Sequence, residues 1–175
     1  AFLSLAGAAT AYALLPHVAS RIDRFLDPAA GDSFQVDTSL EAFRSGGLFG
    51  RGPGEGTVKS VLPDAHTDFI FAVAGEEFGL IVCLFIVLLF AFIVLRGFSR
   101  MLGEPSYFVL LATSGLLVQF GMQAVINMGV NLRLMPAKGM TLPFISYGGS
   151  SLIALALTMG MVLAFTRRRD GRRPV

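Results

Sequence analysis

The run FGLIVCLFIVLLFAFIVL, residues 78–95, holds eighteen consecutive residues without a charge. A helix needs about 20 predominantly apolar residues to cross the hydrocarbon of a bilayer, so this run predicts a transmembrane span, drawn over residues 69–95. Working outward, residues 1–20, 105–128 and 151–166 predict three more. The first is alanine-rich, with Pro16 near its end. Composition agrees: 54% of the residues are hydrophobic, 15% are charged, and the mean hydropathy is +0.68. Soluble domains carry about 25% charge, so a water-soluble globule is excluded, as are disorder and a collagen-like repeat. Cys83 is the single cysteine, which excludes a disulfide scaffold. The fold class expected is all-α, a polytopic transmembrane helix bundle. No basic region precedes the first apolar run, so it does not read as a signal peptide. Beginning at Ala1 inside that run, the chain suggests a piece of a longer membrane protein.

Charge sets the expected orientation. Arg96 and Arg100 follow the second span, and the tail RRRDGRRPV, residues 167–175, carries five arginines. Spans two to four alternate, so both basic ends face one side, which the positive-inside tendency makes cytoplasmic. The connections at residues 21–68 and 129–150 then lie outside. In the first of these, five basic residues are outnumbered by eight acidic ones. The pI of about 9.0 is therefore largely the tail. It requires no nucleic acid, although contact with anionic membrane lipid fits it.

The 21–68 connection is unusually long, and connections of that length tend to carry function. Phe34, Val36, Leu40 and Phe43 have partly helical spacing, predicting a short amphipathic helix over residues 35–45 on the membrane surface or packed on the spans. Gly46, Gly47, Gly50, Gly52, Gly54 and Gly56 follow. A phosphate-binding loop would need a Gly-Lys-Ser/Thr ending and a preceding strand, and neither is present. A mobile or tightly turned loop accounts for the glycines better. Bare backbone N–H groups beside Arg51 and Lys59 could still approach an anionic substrate.

LPDAHTDF, residues 62–69, is the most informative stretch. Pro63 suits a first helical turn, which would place Asp64 and Asp68 one turn apart on one face. Asp64 and Thr67 can also be read as ordinary N-terminal caps. Asp68 sits where water meets the apolar core. Partial desolvation and a second carboxylate would both favour its protonated form, and a carboxylate tuned upward suits a general base for a hydroxyl. His66 could share the proton, but facing solvent is the favoured reading. On a continuous helix Glu76 falls about 80° and Glu77 about 180° from Asp68. Glu76 could thus share a cavity with it, whereas Glu77 reads as a partner for an arginine on another span. Gln119, Gln123 and Asn127, four residues apart, align on one helix face that should point at protein or water. Arg133 and Lys138 flank Pro136 and either snorkel to water or hold a diphosphate, with Ser146, Gly148, Gly149 and Ser150 assisting. No His/Cys cluster has zinc spacing.

Two blocks, residues 34–79 and 127–151, occurring in order and with this spacing, resemble the SEDS family (FtsW/RodA/SpoVE) of bacterial polytopic membrane proteins. The KGMTLP run, residues 138–143, and the Ala65-His66 pair look more like the division members than the elongation members. The resemblance implies the seventh to tenth of about ten spans, with the large extracytoplasmic loop between the seventh and eighth. It also implies a peptidoglycan glycosyltransferase that polymerises lipid II at the outer face of the cytoplasmic (inner) membrane, at the division septum, alongside a class B penicillin-binding protein and other division proteins. The family's catalytic aspartate falls on Asp68. The acidic residue after Leu-Pro, commonly glutamate in the family, is Asp64 here. The family lysine maps to Lys138, a diphosphate contact. Inverting transfer from a pyrophosphate to a 4-hydroxyl needs a base on the acceptor and charge stabilisation at the leaving group. Lys138, Arg133, Arg51 and Lys59 are candidates for the second task. A divalent cation, magnesium or manganese, could assist, but no closed ligand set is visible. Two other classes compete: a lipid II flippase or transporter lined by Gln119, Gln123, Asn127 and Glu76, and a non-catalytic scaffold recruiting a transpeptidase.

Overall fold

A computed structural model describes residues 10, 12–26, 34–62, 64–136 and 139–167. Its elements are α1 (Pro16–Leu26), α2 (Phe34–Gly46), a 3-10 turn (Val58–Ser60), α3 (Ile70–Met101), α4 (Tyr107–Asn131) and α5 (Gly149–Thr166). Among the described residues there is no strand.

Helices α3, α4 and α5 are long and apolar enough to cross a membrane. They replace the spans expected at residues 69–95, 105–128 and 151–166, with boundaries that move. α3 runs on past Arg96 to Met101, and α4 continues three residues beyond 128 to Asn131. α4 begins after Pro105, where Ser106 Oγ accepts from Val109 N at 3.5 Å. Much of the first expected span, residues 1–20, lies outside the described residues. In its described end the helix breaks at Leu15, Pro16 opens α1, and α1 continues to Leu26, inside the region expected to be loop. Proline is preorganised for a first helical turn, where its missing N–H costs nothing.

The spans pack through one apolar core. Phe71, Cys83, Ile86 and Phe90 of α3 meet Phe120, Ala124 and Met128 of α4 and Leu155 of α5, and Leu142 enters from the α4–α5 connection. At the far end Met101, Leu117 and Val162 form a second cluster. Away from these seams Leu84, Phe85, Leu88, Phe92 and Leu157 are exposed, the lateral apolar surface that a bilayer or further spans cover.

Helix α2 matches the expected amphipathic helix, extended by one residue at each end, and it packs on the spans. The Phe43 ring lies 5.5 Å from that of Phe71, and a Cβ added at Gly75 would meet it at 2.4 Å.

The glycine-rich loop turns out to be a structural plug. Within α3, Gly79 adopts φ 81°, ψ −179° and interrupts the helix. The interruption opens the helical bonds that would join Glu76 O to Leu80 N and Glu77 O to Ile81 N. Residues 47–52 occupy the gap. Arg51 N donates to Glu76 O at 2.9 Å and Gly52 N to Glu77 O at 3.0 Å, while Leu80 N donates to Gly47 O at 2.9 Å and Ile81 N to Leu48 O at 3.4 Å. Unpaired backbone groups are costly in apolar surroundings, and the loop supplies partners for these four. The contact requires glycine: a Cβ at Gly79 would lie 2.4 Å from Gly50 N and Leu48 O, and one at Gly50 would lie 2.2 Å from Glu77 O.

Gly79→Ala is expected to destabilise the protein by about 3 kcal/mol or more, from backbone strain of order 1–3 kcal/mol and overpacking of typically 1–3 kcal/mol. At Gly54, with φ 85° but open space around it, alanine should cost only the conformational term, about 1–2 kcal/mol. Thermal unfolding of the full-length variants in detergent checks this, and equal losses at the two positions would refute the plug.

Candidate functional site

The stretch around Asp68 does not continue the helix. Residues 64–68 form turns and α3 starts only at Ile70, capped by Phe69 without a side-chain bond. Pro63 lies outside the described residues. Asp64 has φ 56°, a left-handed conformation that aspartate tolerates better than most residues. Its carbonyl gathers Thr67 N at 3.0 Å, Asp68 N at 3.1 Å and Thr67 Oγ1 at 3.1 Å. The reading of Asp64 and Thr67 as helix caps is therefore corrected: both serve a separate turn. An apolar floor of Leu62, Ala65 and Phe69 seats that turn on Val130 of α4.

Two asparagines fix the backbone of Asp68. Asn127 Nδ2 donates to Asp68 O at 2.8 Å and also to Met140 O, and Asn131 Nδ2 donates to Asp68 O at 2.9 Å and to Asn127 O at 2.9 Å. The carboxyl group is half-buried and faces the 139–148 connection, where a Cβ at Gly139 would lie 3.0 Å from Asp68 Oδ2. Burial first, and the Asp64 charge second, push the Asp68 carboxyl above the usual carboxylate range. Asn131 went unread in the sequence. It extends the Gln119, Gln123, Asn127 series by one more step of four, and that periodicity was the signal available.

The α4–α5 connection folds over this turn. Tyr147 N donates to His66 O at 2.9 Å, Ser146 Oγ donates to Thr67 O, and Leu142 N donates to Ser146 Oγ at 2.7 Å. Ser146 is thus a buried clasp. The His66 side chain is exposed, as favoured, and Gly149 and Ser150 are exposed at the start of α5, which Gly148 caps. Lys138 lies outside the described residues; a Cβ at its neighbour Gly139 would meet the Asp68 side chain. The other candidate cations are engaged. Arg133 pairs with Asp37 of α2 at 2.7 Å, Lys59 Nζ reaches Glu77 Oε1 at 2.6 Å and Gly54 O at 3.0 Å, and Arg51 Nη1 reaches Thr57 Oγ1 at 3.0 Å and Glu76 Oε1 at 3.6 Å.

Glu76 belongs to the plug. Fully buried, its carboxylate accepts from Thr57 N at 2.9 Å, Thr57 Oγ1 at 3.3 Å and Val58 N at 3.1 Å. The angular estimate relative to Asp68 fails because Asp68 is outside the helix. Glu77 finds its partner within this chain, in Lys59, rather than in an arginine of another span. The amides also separate. Gln123 Nε2 donates to Thr141 O at 3.0 Å, Asn127 holds the Asp68 turn, and Gln119 is exposed. Among the described residues no three His, Cys, Asp or Glu side chains converge as a metal site.

The family model described as cell cycle protein, FtsW/RodA/SpoVE, matches residues 1–171. The chain belongs to this family. The relatives it resembles bear the name "probable peptidoglycan glycosyltransferase FtsW". The Caulobacter vibrioides protein is 52% identical over 169 residues, covering 97% of this chain and 43% of the relative. That of Geobacter metallireducens is 44% identical over 155 residues, covering 86% and 41%. The chain thus spans less than half the length of these curated relatives. A chain from a solved peptidoglycan synthase complex, described as coordinating polymerization and crosslinking, superposes with a TM-score of 0.72 at 31% identity, covering 97% of this chain and 48% of that one. Membership in the FtsW/RodA/SpoVE family, with three helices among the described residues long and apolar enough to cross a membrane, makes this a multi-pass protein of the inner membrane.

Replacing Glu76 by alanine should strand the Thr57 and Val58 N–H groups, at about 1–3 kcal/mol for each buried donor left unmade, and release the loop. Trypsin should then cut faster at Arg51 and Lys59. Unchanged cleavage would show that the loop is held some other way.

Proposed function

We propose that the whole protein is a peptidoglycan glycosyltransferase that polymerises lipid II at the outer face of the cytoplasmic membrane during cell division, with Asp68 as general base. The observation that carries this reading is the placement of Asp68: a half-buried carboxyl at the membrane edge, backbone-pinned by Asn127 and Asn131, with its proton affinity raised by burial and by Asp64. A base must hold a fixed position within reach of the acceptor hydroxyl and have a pKa drawn toward the working pH. The pinned backbone and the raised proton affinity of Asp68 support that role as the sugar 4-hydroxyl attacks and the undecaprenyl pyrophosphate departs.

Charge placement supports the outer face. α3, α4 and α5 alternate in direction, and the ring contact of Phe108 with Phe165 marks the end opposite Asp68. Arg96, Arg100 and Arg167 belong to that opposite end, which the positive-inside tendency places in the cytoplasm with the C-terminus. With Arg133, Arg51 and Lys59 paired to acidic residues of this chain, Lys138 is the cation best suited to the departing diphosphate, because a side chain at its neighbour, position 139, would meet Asp68. A magnesium or manganese ion could share that task. The similar solved chain comes from a synthase complex that couples polymerization to crosslinking, which supports partnership with a class B penicillin-binding transpeptidase at the septum. Transport is the weaker reading, since the Glu76 carboxylate, Gln123 Nε2 and Asn127 Nδ2 are bonded to other groups of the chain's own fold. A purely scaffolding role leaves the elevated carboxyl at position 68 without a purpose.

Asp68→Asn in the full-length protein should lower lipid II polymerisation at least about 10²-fold, at the low end of general-base contributions of typically 10²–10⁴, while membrane insertion and partner binding persist. Glycan-chain formation by purified protein with its transpeptidase checks it, and a wild-type rate would refute the base assignment. Asp64→Asn removes a neighbouring negative charge and so lowers the Asp68 pKa. The acidic limb of kcat/KM should move to lower pH yet stay above the ordinary carboxylate range, because burial, the larger cause, persists. Movement to higher pH would contradict the assigned coupling.

A further inference from the structure

We propose that Asn131 is a positioning residue for Asp68, holding it out of helix α3 by inserting its side-chain amide into the helical bond that Asp68 would otherwise make. In a helix continued one turn toward the N-terminus, the Asp68 carbonyl would accept from Ala72 N–H, four residues on. Asn131 takes both halves of that bond. Its Oδ1 accepts from Ala72 N at 3.1 Å, and its Nδ2 donates to Asp68 O at 2.9 Å. The amide is complementary to an opened peptide pair, so it satisfies both backbone groups while keeping them apart, and α3 starts at Ile70. Without it, Ala72 N–H retains only the Phe69 carbonyl at 3.0 Å. Asp68 O, left with Asn127 Nδ2 as its remaining side-chain donor, can then recapture Ala72 N–H through its other lone pair, winding Asp68 into the helix and turning its carboxyl away from Gly139.

Asn131 is itself held firmly. It is fully buried, donates to Asn127 O at 2.9 Å, and through its own carbonyl accepts from Ser39 Oγ of α2 at 2.9 Å. Ser39 is fully buried too. The extramembrane helix α2 thus braces the residue that sets Asp68. Asn127 provides the second donor to Asp68 O but does not touch Ala72 N–H, so the wedge function falls on Asn131 alone.

The inference rests on the reading of Asp68 as general base, and the test separates the two. In the full-length protein, Asn131→Leu removes both polar contacts at similar volume, whereas Asn131→Asp keeps an acceptor for Ala72 N–H and loses the amide donors. Rates are taken per folded molecule, from monodisperse protein of measured thermal stability, with Asp68→Asn alongside. A mis-set general base lowers turnover rather than substrate capture, and a displacement of about 1 Å can cost on the order of 10²-fold. For both variants kcat of lipid II polymerisation should fall roughly 10- to 100-fold with KM changed less than about twofold. If Asn131→Leu does not fold, Asn131→Asp decides the matter. If Asp68→Asn is inactive while the folded Asn131 variants keep wild-type kcat, the positioning role is overturned and the general base stands. If Asp68→Asn keeps the wild-type rate, the base reading itself falls and the positioning role with it.

Discussion

The structure depends on one constraint: in apolar surroundings a backbone N–H or C=O cannot be left without a partner. Helix α3 departs from regular geometry at Gly79 and stops short at Ile70, and each departure leaves the same kind of vacancy, a carbonyl and an amide four residues apart. At Gly79 the vacancies are filled by the backbone of residues 47–52; beside Ile70 one is filled by the Asn131 carboxamide. Both solutions draw on parts of the chain distant in sequence. α2, the glycine loop and the end of α4 are therefore bound to α3 by necessity rather than by apolar packing alone.

These two insertions organise the outer end of the bundle. The plug sets the loop against Glu76 and Glu77, which in turn occupy Arg51 and Lys59. The amide wedge sets Asp68 between its own turn and the 139–148 connection. Buried carboxylates close together in sequence thereby acquire different tasks. Glu76 accepts from Thr57 and Val58 and Glu77 pairs with Lys59, so both hold the fold, whereas the Asp68 carboxyl faces the loop opening with its proton affinity raised. The burial of an acid is common to both situations; the supply of donors separates them.

Spans α3 to α5, helix α2 and the raised proton affinity of Asp68 were legible in the sequence because each rests on a local signal: charge-free length, apolar spacing, or an acid abutting Phe69, Ile70 and Phe71. The rest depends on partners far along the chain. Gly79 sits in an apolar run where glycine is unremarkable, and its interruption is visible only once residues 47–52 are placed against it. The Lys59–Glu77 and Arg133–Asp37 pairs join positions 18 and 96 residues apart, so cations that read as free for a diphosphate are already taken. Ser146, in a run of small polar residues resembling an anion cradle, turns inward instead to clasp Thr67 and Leu142. Pro63 suits a helix start and so points to Asp64 and Asp68 as helical neighbours, whereas the amide bonded to Asp68 O comes from α4, 63 residues on.

The plug has a consequence for how the protein is made. The ribosome delivers residues 47–52 before the helix they seal, so the seal already exists as a free segment when Gly79 reaches the translocation machinery. Were the order reversed, a broken span would have to wait in lipid with bare peptide groups until later residues emerged. A permuted gene that moved α2 and its loop downstream of α3 would preserve every contact of the finished molecule and yet meet its obstacle during synthesis.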